Sequence, residues 1–153
     1  MINVDVFSEE NNWSRKIKNK KIFFYSICKS FPKKYRFTNK KIYLSLLLSN
    51  NKNIKKLNKQ FRNKDKATDV LSFPLQNKIK VKNGYYLGDI IISFNFMNNP
   101  RDKSIKDFKD MVVKTFIHGF LHLLGFDHIK VKDYKKMFEE EKKIYQSVIK
   151  KIY

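Results

Sequence analysis

The sequence stretch 118–128 reads His118-Gly-Phe-Leu-His122-Leu-Leu-Gly-Phe-Asp-His128 and contains all three histidines of the chain. His118 and His122 are four residues apart, so on a helix both imidazoles leave the same face, one turn apart. Two neutral imidazoles in that arrangement can share one metal ion. The segment that starts at Met111 and leads into His118 is apolar nearly all round, which indicates a helix in the core. The stretch therefore predicts a buried helix that carries two metal ligands.

The third histidine requires a turn. Ten residues of continuous helix would separate His118 from His128 by about 15 Å, too far for a shared ion. Gly125 adopts a positive φ at little cost, so it can end the helix and let His128 return. Three histidines leave the fourth tetrahedral position to water, as in catalytic zinc sites. We predict one zinc ion per chain on His118, His122 and His128, although nickel, copper and cobalt accept the same ligands.

Working outward from this helix, four segments have strand patterns. Apolar residues alternate with polar ones or run together in each of them. The predicted strands are Ile2–Phe7, Ile42–Leu48, Val70–Phe73 and Tyr86–Ser93, and Pro74 should end the third of them. A turn is predicted between the third and fourth strands, at Lys78–Gly84.

Helical spacing predicts three further helices. One amphipathic helix is expected at Trp13–Phe31, and a second follows the capping residues Ser49–Asn51. Ser104 and Asp107 resemble a capping box at the start of the histidine helix. In the final helix one stripe is expected to comprise Tyr134, Met137, Phe138, Glu141, Tyr145 and Val148.

This order of elements predicts the fold class and the domain organisation. Strands alternate with helices and then helices predominate, which favours an α/β (α+β) domain with a small mixed β-sheet covered by helices. No repeat or linker divides the chain, so residues 1–153 are expected to form a single domain. The helix with the histidine ligands should border a cleft.

Composition excludes several classes of protein. The 153 residues are 42% hydrophobic and 15% aromatic, which is enough for one core and excludes wholesale disorder. The single cysteine, Cys28, excludes a disulfide framework and suits a reducing cytosol. We find no secretory signal pattern and no apolar run long enough to span a membrane. A cytoplasmic enzyme or binding protein, with no membrane partner, is expected.

The charge is consistent with a polyanionic partner. The chain carries 34 Lys+Arg against 14 Asp+Glu, a net charge of +20. Such charge attracts nucleic acid. However, only four of the 34 basic residues are arginine, and the lysines are spread along the chain, so A+T-rich codons explain the excess equally well. Charge alone therefore supports a nucleic-acid partner only weakly.

The histidine spacing also matches H-x-x-x-H-x-x-G-x-x-H, the motif of metzincin proteases. Those enzymes place a glutamate after the first histidine as the base that activates water. Gly119 occupies that position here and cannot accept a proton. The peptidase interpretation is therefore disfavoured.

Three motifs, in the same order, resemble those of another family. The first is HGFLHLLGFDH itself, and the second is Leu57–Pro74, which matches a segment N-x-x-y/f-R-x-k-d-x-x-T-D-V-L-S-F-P at Asn58, Phe61, Arg62, Asp65, Thr68 and Asp69 and on through Pro74. The third is Leu87-Gly88-Asp89-Ile90, similar to a G-D-I strand. Together they span most of the chain. They resemble the YbeY family, the zinc-dependent endoribonucleases and rRNA maturation factors of bacteria.

The resemblance implies a function as well as a fold. It implies a single-strand-specific, metal-dependent endoribonuclease that acts in 3′-end maturation of small-subunit (16S) rRNA and in 70S ribosome quality control. The implied partners are single-stranded RNA, rRNA and the ribosome, and no DNA is expected. An alternative is a ribosome assembly factor that binds RNA or ribosomal protein while its metal site is mainly structural.

Three residues near the motifs have open roles. Arg62 is the candidate catalytic residue, because a guanidinium can hold two phosphoryl oxygens at once; its alternative is an ion pair with Asp65 or Asp69. Asp127 can orient a ligand histidine or cap the turn. Lys114, one turn before His118, can lie at the cleft rim or in solvent.

Overall fold

The computed structural model describes residues 1–75 and 84–152, and its centre is a four-stranded mixed sheet. The strands are β1 (Ile2–Ser8), β2 (Ile42–Ser49), β3 (Val70–Pro74) and β4 (Tyr85–Ser93), in the order β1-β2-β4-β3. β1, β2 and β4 are parallel, and β3 pairs antiparallel with β4. The predicted small mixed sheet is confirmed. Pro74 ends β3 inside the ladder, which is tolerated because β3 is an edge strand.

The helices surround this sheet and vary widely in length. The shortest three contain four residues each, and the longest, α7, contains 22. Their bounds are α1 Trp13–Lys16, α2 Lys20–Lys29, α3 Lys33–Arg36, α4 Asn51–Arg62, α5 Phe94–Met97, α6 Ile105–Leu123 and α7 Val131–Ile152.

Both faces of the sheet are covered, because successive strand residues point to opposite sides. On one face Leu46 of β2 and Ile90 of β4 join the main core with α2, α6 and α7. On the other face Leu71 and Ile91 pack against Ile54 of α4 in a smaller cluster. The expected sheet covered by helices is therefore present, with α4 alone forming the thinner layer among the described residues.

The predicted helix Trp13–Phe31 is wrong as a single element. The chain is helical at α1 and α2, but Ile17 between them is extended, with φ −128° and ψ 104°. Asn19 then starts α2, since its side chain accepts a hydrogen bond from the Ile22 N–H. Trp13 and Ile17 are both buried, so the apolar spacing reflects core positions rather than continuous helix.

The predicted apolar stripe of α7 is correct in part. Met137, Ile144 and Val148 are the buried residues of the helix. Tyr134 and Phe138 are instead exposed, and their rings stack on each other with centroids 6.3 Å apart. The face that packs on the core is thus rotated away from these two aromatic residues.

Gly88 explains how β3 is held against β4. Its φ is +138°, and a Cβ there would lie 2.2 Å from the Phe73 carbonyl oxygen. Only glycine permits this approach of the two strands. The predicted turn before β4 lies outside the described residues except for Gly84, whose φ is +74°. No helix in the described part of the chain is both long and apolar enough to cross a membrane.

Candidate metal centre

α6 ends at the position the sequence predicts and turns sharply. The Gly125 N–H donates to the His122 carbonyl at 3.0 Å, and the Phe126 N–H donates to the Leu121 carbonyl at 3.1 Å. These two bonds, with Gly125 at φ +94°, form a Schellman motif. At the other end the Ser104 hydroxyl accepts from the Asp107 N–H, the first half of the predicted capping box. The turn redirects the chain toward the face of α6 that carries His118 and His122.

All three histidines meet at this turn. The Nε2 atoms of His118 and His122 are 3.1 Å apart. Two nitrogens bound to one tetrahedral zinc at its usual bond length lie about 3.3–3.4 Å apart, so the pair is preset for a shared ion. The His128 ring centroid is 5.4 Å from that of His118 and 4.8 Å from that of His122. One potential ligand atom from each residue fits within a 4.8 Å cluster, so the three histidines can bind a metal ion.

The other ring nitrogens of the two helical histidines are engaged by hydrogen bonds. His118 Nδ1 lies 2.6 Å from Glu141 Oε1, and His122 Nδ1 lies 2.8 Å from the Phe126 carbonyl oxygen. Both partners are acceptors, so each Nδ1 carries the proton and donates it. The lone pairs are then on the Nε2 atoms that face each other. This is the tautomer a metal ligand requires.

Glu141 is a residue of the candidate site that the sequence analysis did not identify as such. It was predicted only as part of the apolar stripe of α7, between Phe138 and Tyr145. A carboxylate in such a stripe is the signal that could have revealed it, because a charge on a packed face needs a partner. Its partner, His118, is 23 residues away and becomes its neighbour only when α7 packs on α6.

Electrostatics favour the neutral form of His122. Burial lowers the pKa of His122, and the neighbouring His118 lowers it further. A neutral imidazole is the form that coordinates a metal. The local environment of His122 therefore favours metal binding over protonation.

Asp127 supports the turn. Its Oδ1 accepts from the backbone N–H of His128 at 2.6 Å and from that of Ile129 at 3.3 Å. The same oxygen is 3.9 Å from His128 Nδ1, beyond hydrogen-bond distance. The sequence predicted two roles for Asp127, capping the turn and orienting a ligand histidine. The observed hydrogen bonds are those of a cap on the turn.

Arg62 borders the same cleft as the three histidines, a cavity of about 630 Å³ that β3 also lines through Val70, Ser72 and Pro74. Among the residues that the structure describes, Arg62 makes no ion pair with Asp65 or Asp69, and Asp65 pairs instead with Lys59 at 3.9 Å. The ion pair considered as the alternative role of Arg62 is therefore absent among the described residues, and no carboxylate there engages its guanidinium.

Arg62 lies at the cleft because capping residues fix both ends of α4, and Arg62 is the last residue of that helix. The Asn50 side chain accepts from the Asn53 N–H and caps the first turn. Asn63 follows Arg62 in a left-handed conformation, φ 57°, and ends the helix. The buried Asn58 side chain donates to the Lys66 carbonyl at 2.9 Å and holds the loop that leads to β3. Arg62 thus occupies the last turn of a helix anchored at both ends.

Gly119 and Lys114 lie outside the ligand set. A Cβ at Gly119 would point into the sheet, 3.0 Å from the Ile90 side chain and 3.1 Å from Ser72 Oγ. Glycine therefore permits close packing of α6 on β3 and β4, where the Ser72 hydroxyl donates to the Gly119 carbonyl. Lys114 pairs with Asp110 at 3.2 Å and lies over the Tyr145 ring, so it is not among the residues that line the histidine cleft.

Comparison with known proteins places the chain in a family. The family model described as Endoribonuclease YbeY matches residues 7–149. The chain is 63% identical over 152 residues to the Endoribonuclease YbeY of Pelagibacter ubique, covering 99% of each. It is 33% identical over 153 residues to that of Bartonella henselae, covering 97% of this chain and 94% of the relative.

A solved structure agrees with the fold. The solution structure of a Thermotoga maritima protein superposes with a TM-score of 0.55 at 30% identity, covering 97% of this chain and 89% of that one. The family match, the two relatives and the histidine cluster on the turn after α6 agree with one another. The chain belongs to the Endoribonuclease YbeY family.

Proposed function

We propose that this protein is a metal-dependent endoribonuclease that cuts single-stranded RNA in the cleft between α6 and β3. One observation carries the proposal: the three histidines and the unpaired Arg62 line the same cleft of about 630 Å³. That pairing provides a metal site and a phosphate-binding cation at one place. The family's endoribonuclease name and the 63% identical relative support the same activity.

We propose that His118, His122 and His128 together bind one zinc ion. When bound, such an ion activates water near neutral pH and offsets charge on phosphoryl oxygen. Glu141 fixes the His118 ring by accepting a hydrogen bond from its Nδ1–H group, and the Phe126 carbonyl accepts one from the Nδ1–H group of His122. These two bonds keep both Nε2 lone pairs directed to a common point. The protein's contribution there is orientation, set before any ligand arrives.

Arg62 is the proposed catalytic residue. A phosphodiester gains negative charge on its nonbridging oxygens in the transition state, and a guanidinium donates two parallel hydrogen bonds to such a pair of oxygens. Arg62 is exposed, lines the same cleft as the histidines and has no competing carboxylate within ion-pair distance among the described residues. It is therefore free to stabilise that charge.

The cellular role follows the family resemblance. We propose that residues 1–153 act as one cytoplasmic endoribonuclease domain on rRNA, in 3′-end maturation of 16S rRNA and in quality control of the 70S ribosome. The net charge of +20 supports a highly anionic partner such as the ribosome. rRNA from cells depleted of the protein should carry unprocessed 16S 3′ ends, and restoring the intact protein should remove them.

The test of the activity couples metal content to cleavage. Purified protein is assayed for bound zinc and for cleavage of an unstructured RNA, before and after a chelator, and again after zinc is restored. We expect about one zinc ion per chain. Cleavage should be lost when the chelator removes the metal and should recover when zinc is restored. RNA binding without cleavage, unaffected by the chelator, would favour the assembly factor with a structural metal site.

A further inference from the structure

A second groove lies at the opposite end of α6 from the histidines. It has a volume of about 630 Å³ and is formed by α1, α2, the first turns of α6 and the last turn of α7. Lys109 of α6 lines it, nine residues before His118. Nine residues are about 14 Å along the helix axis and about two and a half turns, so the two side chains leave opposite faces of α6. Six cationic side chains surround this basic groove: Arg15, Lys16, Lys18, Lys29, Lys109 and Lys151.

The basic groove differs from the histidine cleft in its charges. The cleft is lined by Asp69 and Asp127 as well as by Arg62. No acidic residue of the described chain lines the basic groove, and none of its six cations is in an ion pair there. Because the six charges are not neutralised locally, their potentials add and attract an anion along the whole groove.

Apolar surface lies among these charges. The Phe23 ring lies 6.0 Å below the Lys109 ammonium, and Ile22 and Ile105 are 61% and 52% exposed at the edges of the groove. Single-stranded nucleic acid is bound by cations along its backbone together with aromatic rings on which bases stack, and the half-buried Phe23 is the aromatic residue among those that line this groove. A free phosphate ion would have no use for the apolar part.

The arginines give an independent indication. A smaller adjoining cavity shares Arg15, Lys16 and Ile105 with the basic groove and adds Arg101. Two of the four arginines of the chain, Arg15 and Arg101, thus lie on this surface. Codon bias accounts for lysine in this sequence but not for arginine. Arginine is the better residue where a phosphate is held by two hydrogen bonds.

We propose that the basic groove binds the phosphate backbone of the same single-stranded RNA whose scissile bond lies in the histidine cleft. The inference rests on the proposed function, since it takes RNA as the substrate. Because the two sites lie about 14 Å apart along α6 and on opposite faces of it, only an RNA that is several nucleotides longer than the cleft and passes around the helix can occupy both. A concave surface fits a flexible strand, whereas a flat lipid surface would contact only its rim.

The test compares two charge-reversal variants on two lengths of RNA. The groove variant carries Lys18→Glu and Lys29→Glu, both exposed and outside any ion pair of the described residues. The control variant carries Lys55→Glu and Lys56→Glu, exposed on α4 and outside both sites, so the net charge changes equally. The RNAs share one cleavage sequence and contain about five and about twenty-five unstructured nucleotides, spanning the range of single-strand site sizes.

We expect the groove variant to bind the longer RNA on the order of tenfold more weakly at low salt, and to reduce the slope of log K against log salt by about 1.4, for two lost phosphate contacts. Its KM for the longer RNA should rise by a similar factor. Cleavage of the short RNA should match the parent protein. The control variant should resemble the parent on both RNAs.

Three results would overturn the groove as an RNA site. Equal weakening by both variants would mean that only total charge matters. Unchanged binding of the longer RNA by the groove variant would exclude the groove. Loss of binding to phosphatidylserine vesicles, with RNA binding intact, would assign the groove to a membrane surface. If the parent cuts neither RNA yet binds the longer one through the groove, the proposed function fails and only RNA binding by the groove remains. If the parent cuts both RNAs and the groove variant matches it on both, the groove proposal alone fails.

Discussion

The two ends of α6 use charge in opposite ways. At the C-terminal end His118, His122 and Glu141 are half-buried: His118 donates a hydrogen bond to Glu141, and the two Nε2 atoms face each other 3.1 Å apart. At the N-terminal end Lys109 and the other groove cations are outside any ion pair of the described residues. The first end depends on the placement of individual atoms, and the second depends on the sum of several charges.

This difference in charge arrangement predicts how the two ends of α6 should respond to substitution. Metal ligation and transition-state contacts require fixed distances, so removing one partner removes the function. A field from several cations falls in small steps, because each of them is partly replaceable by its neighbours. Variants at the histidine end should therefore show large and specific losses, whereas those at the basic groove should show graded, salt-dependent ones.

Removal of the histidines should have the largest effect. Substituting alanine at His118, His122 and His128 should abolish metal binding and RNA cleavage, because no other cluster of three potential ligands exists among the described residues. Metal analysis and cleavage are measured on the same preparation. Retention of the parent's zinc content in the triple variant would show that the metal binds elsewhere.

Glu141→Gln should have the next largest effect. The amide still accepts a hydrogen bond from His118 but carries no charge to raise the basicity of the ring, so zinc affinity should fall about 10–100-fold. Competition with a chelating dye measures the affinity. Glu139→Gln, an exposed residue on the same helix, is the matched control and should bind zinc like the parent. Equal affinity in both variants would remove Glu141 from the site.

Arg62→Lys should lower the cleavage rate by on the order of tenfold or more, because lysine replaces a two-pronged donor by a point charge. Zinc content and melting temperature should stay near those of the parent, since Arg62 has no ion pair among the described residues. Lys64→Ala, exposed two residues on, is the control. A folded Arg62→Ala protein with full activity would contradict a catalytic role.

Gly119→Ala should have the smallest effect on catalysis. The new methyl group would press on Ile90 and Ser72, at 3.0 and 3.1 Å, so overpacking of about 1–3 kcal/mol opposes the roughly 1 kcal/mol that alanine gains in a helix. The free energy of unfolding should fall by about 1 kcal/mol, as urea denaturation would show. Cleavage per folded molecule should be unchanged. A large loss of zinc would mean that position 119 does face the metal.

The local sequence pattern was sufficient to predict those features that a single segment of the chain forms without contacts to other segments. The spacing of His118 and His122, the positive φ of Gly125 and the alternation in β2 follow from helix and strand geometry, and the structure contains them all. The break at Ile17 was missed because apolar spacing reports burial, which survives a kink, rather than the hydrogen bonds of a helix. Asn19 as a helix cap was the available local signal for that break.

The sequence by itself determined the three histidines that can bind a metal ion, because all of them lie within residues 118–128, where a helix end and the turn after it have local geometry. Only the tertiary structure decided what surrounds them. Arg62 of α4 lines the histidine cleft and Glu141 of α7 contacts His118. These helices lie on either side of α6 in sequence and come together only when the sheet and helices pack. The basic groove likewise combines α1, α2, α6 and α7. Contacts between distant segments depend on how all the apolar faces are buried together, and no single segment encodes that arrangement.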